Sequence, residues 1–167
     1  RFRSRLPGEH NLRNAVAALA AAAAAGIEPE AAREPLAAFR GVKRRLEVRG
    51  EARGVVVYDD FAHHPTAVRE TLKALRRGLS ASTGKGRLVA VFEPRSYTSR
   101  TRIFQDDFAR AFQSADEVIV AAAHLPGKVP ESQRLSETEL AEGIRALGGS
   151  ARFIPTVDEI VGRLGEE

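Results

Sequence analysis

Four times between Val55 and Leu164 a short run of strand formers gives way to a longer stretch with apolar residues at helical spacing. The runs are Val55–Tyr58, Leu88–Phe92, Val118–Ala122 and Arg152–Ile154, and the helical stretches are Thr66–Leu79, Thr101–Phe112, Glu137–Leu147 and Val157–Leu164. One more strand is expected over Leu46–Ala52. Such alternation leaves little choice of fold, because strands joined through helices run parallel and bury both sheet faces. The expectation is an α/β, Rossmann-like, mostly parallel sheet with helices on both faces and right-handed crossovers. Ser136-x-x-Glu139 and Thr156-x-x-Glu159 read as capping boxes at the starts of the last two helices.

Upstream, Gly8-Glu-His-Asn11 opens an alanine-rich helix closed by Gly26. Pro29 starts a second helix with Ala32, Leu36 and Phe39 on one face, and Gly41 is expected to end it. Two short helices do not make a domain. Residues 1–45 are therefore expected to be the helical tail of a preceding domain, and 46–167 the domain proper. Arg1–Leu6 alternates weakly, as the last strand of that earlier domain would. The absence of methionine, with the Arg1-Phe-Arg-Ser-Arg start, suggests a segment of a longer protein.

The composition narrows the function. With no cysteine there are no disulfides or thiolate metal sites, as expected of a cytoplasmic protein. The longest apolar block, Ala15–Ala25, is too short and too weakly hydrophobic to span a membrane. The net charge is +4, but only Arg40, Lys43, Arg44 and Arg45 cluster, and 6% of residues are aromatic. Nucleic acid calls for a continuous basic face with rings to stack on. An anionic small substrate accounts for the charge equally well.

In a parallel sheet, functional groups gather beyond the carboxyl ends of the strands. After Val55–Tyr58 come Asp59, Asp60, His63 and His64, then Pro65 at a helix start; after the next strand come Glu93, Pro94, Arg95 and Ser96; after the third, His124 and Lys128. A lone Asp or His at a strand end more often caps a turn. Four ionisable groups in six positions are costly unless a ligand or ion uses them. One use is metal ligation by Asp59, Asp60, His63 and His64 in a phosphohydrolase. The loop Pro94-Arg-Ser-Tyr-Thr-Ser-Arg100 is a natural anion site, with Arg95 and Arg100 as the clamp. His124 and Lys128 read as ordinary loop residues. Ser82-Thr-Gly84-Lys85-Gly86 is rejected as a phosphate loop, since it precedes a strand and lacks the closing Ser or Thr.

Three motifs stand in order: Gly8-x-His10-Asn11-x-x-Asn14-Ala15, Gly41-Val-x-x-Arg45-x-Glu47, and Asp59-Asp-Phe-Ala-His-His-Pro65-Thr66. In these, and in Pro94-Arg-Ser-x-Thr98, the chain resembles the muramyl peptide ligases of bacterial cell-wall synthesis. The resemblance implies ATP-dependent amide formation through an acyl phosphate, with magnesium bound mainly by a central ATPase domain that precedes this segment. It implies that His10, Asn11, Asn14, Arg45 and Asp60 meet the nucleotide, that His63 and His64 face the catalytic cleft, and that Arg95, with Ser96 and Arg100, holds the incoming component's carboxylate. The implied partners are UDP-N-acetylmuramate, an amino component and the remaining domains of the same chain, with no nucleic acid and no membrane. Without the phosphate loop, this segment alone is expected to be inactive. For the amino component, Glu93-Pro-Arg-Ser-Tyr-Thr98 and the Asp-Asp-Phe-Ala-His-His elbow look more like members that add the tripeptide L-alanyl-γ-D-glutamyl-meso-diaminopimelate. Tyr97 and Arg100-Thr-Arg102 lean towards members that add free L-alanine.

Overall fold

A computed structural model describes residues 6–82, 86–124 and 126–165. The chain forms two compact units, residues up to Phe61 and residues from Ala62 onward. The expected strand over Arg1–Leu6 falls almost wholly outside the described residues, as do residues 83–85 of the rejected phosphate loop.

In the first unit, α1 (Glu9–Ala24) packs with α2 (Pro29–Ala38). Gly26 ends α1 as expected. Its φ of 82° lets its own N–H reach the Ala23 carbonyl, and lets the N–H of Ile27 reach that of Ala22. Gly41 does not end α2, which stops at Ala38 because Phe39 is already extended. Two strands follow, β1 (Glu47–Ala52) and β2 (Val55–Asp59), paired antiparallel in a sheet of their own. Their link is only Arg53-Gly54, with φ of 51° and 79°. Two consecutive left-handed residues match the right-handed twist of a tight hairpin, and this dictates antiparallel pairing. The expectation that Val55–Tyr58 would lie in the parallel sheet is corrected accordingly.

The second unit holds the parallel sheet, in the order β3 (Val89–Phe92), β4 (Glu117–Val120), β5 (Ala151–Phe153). Along buried β4 the side chains alternate. Val118 and Val120 join Phe92, Phe108 and Leu140 in one cluster, with Val68 and Leu72 of α3 (Pro65–Ser82) and Ile144 of α5 (Glu137–Ala146). Ile119 faces the other way, onto Ile160 of α6 (Val157–Gly165). Helices thus cover both faces, as the alternation predicted. Gly143 of α5 brings that helix close to α4 (Gln105–Ala111), where a β-carbon would stand 3.2 Å from that of Ala109.

The helix expected over Thr101–Phe112 begins late. Two 3-10 turns, Thr98–Arg100 and Arg102–Phe104, precede α4, because Thr101 is extended and bridges antiparallel to Arg134. At the helix starts, Thr156 and Glu159 form the full reciprocal box. At Ser136 only half forms: its hydroxyl takes the Glu139 N–H, while its own N–H goes to Gln105 and the Glu139 carboxylate to Arg102.

The amino edge of the sheet is tied by ion pairs. Glu117, 3% exposed, meets Arg87, Arg152 and Arg163. Asp116 accepts from the Leu88 N–H at 2.6 Å and pairs with Arg76 at 2.6 Å. Partial burial pushes its pKa up, but the Arg76 hydrogen bond, the Leu88 N–H and the charges of Arg76 and Arg87 outweigh this and hold it below the usual aspartate value. A depressed carboxyl stabilises the fold above its unfolded-state pKa of 3.8, and that stabilisation is lost as pH falls through the lower folded value. We therefore expect Asp116→Asn to lower Tm modestly at pH 7, and the gap from the parent to close below about pH 4. A gap that stays constant down to acid would show that the carboxylate's charge is not the source.

Candidate functional site

In the first unit, residues 44–46 and the Asp59–Phe61 part of the elbow hold each other. Arg44 and Leu46 both adopt left-handed conformations, φ 59° and 50°, which non-glycine residues avoid. Elbow groups stabilise them. The Asp60 carboxylate accepts the Leu46 N–H at 2.8 Å, the Phe61 N–H donates to the Arg44 carbonyl at 2.8 Å, and Asp59 lies 3.4 Å from the Arg44 guanidinium. That guanidinium also stacks on Phe61, 4.9 Å from the ring centre. Asp59 and Asp60 therefore shape the segment that carries Arg45, which itself is exposed.

On α1, Asn11 donates to the Pro7 carbonyl at 2.7 Å and Asn14 is exposed. His10 is half-buried, and its Nδ1 is a buried polar atom with no hydrogen-bond partner. An orphaned ring nitrogen in the first turn of a helix fits a polar ligand such as a nucleotide base. Among the described residues no three His, Asp or Glu side chains stand close enough to share an ion.

In the second unit, Pro65 begins α3 as its position predicted, and His63 and His64 precede it. His63 is half-buried; His64 is exposed, its ring edge-on to Phe104 at 4.9 Å. The Thr66 N–H donates to Nδ1 of His64 at 3.3 Å, so the neutral ring carries its proton on Nε2. In that tautomer the Nε2–H of His64 is left as a donor.

Beyond β3 and β4 the chain builds a more rigid frame. The Ala121 N–H donates to the Phe92 carbonyl at 2.8 Å and the His124 N–H to the Pro94 carbonyl at 3.0 Å, which extends the ladder past both strands. Arg100 is 8% exposed and joins the two loops, donating to the Ser96 carbonyl at 3.2 Å and the His124 carbonyl at 3.0 Å. The Ser96 hydroxyl takes the Ser99 N–H at 3.0 Å. Arg100 and Ser96 therefore point into the frame, whereas Arg95 stands exposed, 3.4 Å from Glu93. The same Glu93 oxygen lies 3.8 Å from Nδ1 of His124. His124, read as an ordinary loop residue, is an exposed loop residue that the structure places beside Glu93. The only signal was its place after a strand; the backbone pairing that brings it beside Glu93 joins residues 30 positions apart.

A parallel α/β domain with polar side chains at the carboxyl edge of its strands has the Rossmann-like architecture, a class that takes its ligands at that edge. Residues 44–166 match the family model "Mur ligase, glutamate ligase domain". The chain belongs to the Mur ligase family. It is 50% identical over 127 residues to the UDP-N-acetylmuramate–L-alanyl-γ-D-glutamyl-meso-2,6-diaminoheptandioate ligase of Escherichia coli K12, covering 75% of this chain and 27% of that one. It is 48% identical over 130 residues to the UDP-N-acetylmuramate–L-alanine ligase of Thermobifida fusca, with the same 75% and 27% coverage. Among solved structures, the UDP-N-acetylmuramate–alanine ligase of Thermotoga maritima superimposes with a TM-score of 0.72 at 27% identity, over 95% of this chain and 32% of that one. The chain thus spans about a quarter to a third of the length of these relatives.

Proposed function

We propose that this chain is the end of the nucleotide-binding part together with the acceptor-binding part of an ATP-dependent ligase of peptidoglycan synthesis or recycling, which joins a murein tripeptide to UDP-N-acetylmuramate as an amide in the cytoplasm. The observation that carries the reading is Arg95. A guanidinium is presented at the carboxyl edge from a loop that a buried arginine and a serine turn hold still, as recognition of a carboxylate requires. A tripeptide ending in a diamino dicarboxylic acid brings several carboxylates, where free alanine brings one.

In this reading residues 1–45 belong to the nucleotide-binding part and 46–167 to the acceptor part. His10, Asn11, Asn14, Arg45 and Asp60 hold the ATP, and magnesium and the phosphate groups are bound elsewhere in the complete enzyme. ATP supplies the activation of the muramyl carboxylate. His63 and His64 face the reacting groups, with His64 donating from Nε2 to developing negative charge. Ser96 and Arg100 position Arg95 rather than touch the acceptor.

Assaying the complete ligase with both acceptors side by side tests the substrate. We expect the tripeptide to be used far faster than L-alanine. Efficient turnover of alanine with none of the tripeptide assigns the chain to the alanine-adding branch, at present the second reading, which the Thermobifida relative favours. The chain of 167 residues alone is expected to show no ATP hydrolysis above background.

A further inference from the structure

We infer that Glu47 is a positioning residue for the nucleotide: its carboxylate, together with one oxygen of Asp60, grips the backbone on either side of Arg45 and fixes where that guanidinium stands. This rests on the reading above that Arg45 meets the ATP, and it names what holds Arg45 in place.

The residues flanking Arg45 adopt a disfavoured backbone. Arg44 and Leu46 sit at φ of 59° and 50°, a region that residues with a β-carbon rarely populate, and only Arg45 separates them. Such a segment persists where its surroundings over-determine it. Here the backbone N–H of each of the three residues is taken. That of Arg44 donates to Oε2 of Glu47 at 2.9 Å, that of Arg45 to the Val42 carbonyl at 3.2 Å, and that of Leu46 to Oδ2 of Asp60 at 2.8 Å. The two acceptors that serve the left-handed residues are carboxylates, which make stronger bonds than neutral oxygens do.

The hairpin fixes the carboxylates in turn. Glu47 is the first residue of β1 and pairs in register with Asp59, the last of β2, so Glu47 and Asp60 both leave the open end of one ladder. Their neighbours also offset the acid charge. The second oxygen of Glu47 lies 3.5 Å from Arg49, and Asp59 lies 3.4 Å from Arg44. Uncompensated carboxylates beside Arg45 would turn an anionic phosphate group away. With Arg44 and Arg49 serving the acids, Arg45 stands exposed between them in the chain.

The test uses the complete ligase and reads KM for ATP beside kcat and the acceptor KM. Arg45→Ala is expected to raise KM for ATP about 20-fold. Glu47→Ala should raise it about tenfold, with kcat and the acceptor KM within about twofold, because only the group at the nucleotide is displaced. Glu47→Gln keeps an oxygen for the Arg44 N–H, so its KM for ATP should stay within about threefold of the parent. Added to Arg45→Ala, the change Glu47→Ala should cost less than about twofold more, since nothing is left to position. A further tenfold rise in that background overturns the positioning role, as does an unchanged KM for ATP in Glu47→Ala alone. A rise for ATP and acceptor alike overturns it too, because a general loosening of the fold would act on both. An Arg45→Ala enzyme with an unchanged KM for ATP overturns the nucleotide reading, and the role of Glu47 with it.

Discussion

Arg100→Ala is expected to cost about 2–4 kcal/mol of stability and, in the complete ligase, to raise the acceptor KM by a factor on the order of ten. Its guanidinium is 8% exposed and donates to carbonyls of the loop after β3 and the loop after β4. Truncation leaves both carbonyls without a charged donor and opens a cavity between the loops. Those loops carry Glu93, Arg95 and His124, so looseness there blurs the recognition of any acceptor. Denaturant unfolding and acceptor kinetics on the same variant separate the two roles available to this residue. A damaged KM with unchanged stability would mean that Arg100 contacts the acceptor directly, as the loop's sequence suggested, and would end the positioning role proposed for it.

Phe108→Ala should cost more, about 3–5 kcal/mol, a large fraction of the stability of a domain this size. Phe108 is 0% exposed, its ring 5.0 Å from that of Phe92, and it belongs to the cluster that joins α3, α4, α5 and all three strands of the parallel sheet. No neighbouring side chain is free to fill the space, since Val118, Val120 and Leu140 are themselves fully packed. Thermal unfolding of the variant checks this. A loss below about 1 kcal/mol would show that the cluster collapses around the gap, against the packing seen here.

Much of the second unit could be read directly from the chain. The strands of the parallel sheet, α3 with Pro65 at its start, and α5 and α6 with their caps follow from periodicity and local hydrogen-bonding chemistry. These signals act over a few residues. The errors fall where partners distant in sequence decide. Val55–Tyr58 has the composition of a buried parallel strand, but the two-residue link to β1 turns it into a hairpin arm. Thr101 has nothing against helix in its neighbourhood, yet pairing with Arg134 holds it extended. The same holds for the site. That Asp60, Arg95 and His64 follow strands or precede a helix was visible, whereas what each side chain bonds to was not.

The order and type of elements in the parallel domain, its helix starts, and the polar character of the loops at the strand ends were determined by the sequence alone, because each depends on neighbours within a turn or two. Tertiary structure decided which of those polar groups are buried and which stay exposed. Arg95 and Arg100 are five positions apart on one loop and chemically alike. One is buried against two carbonyls and the other stands in solvent beside Glu93, because the loop after β4 docks on only one of them. Which guanidinium is desolvated depends on a contact across 24 residues of sequence, and local composition carries no record of it.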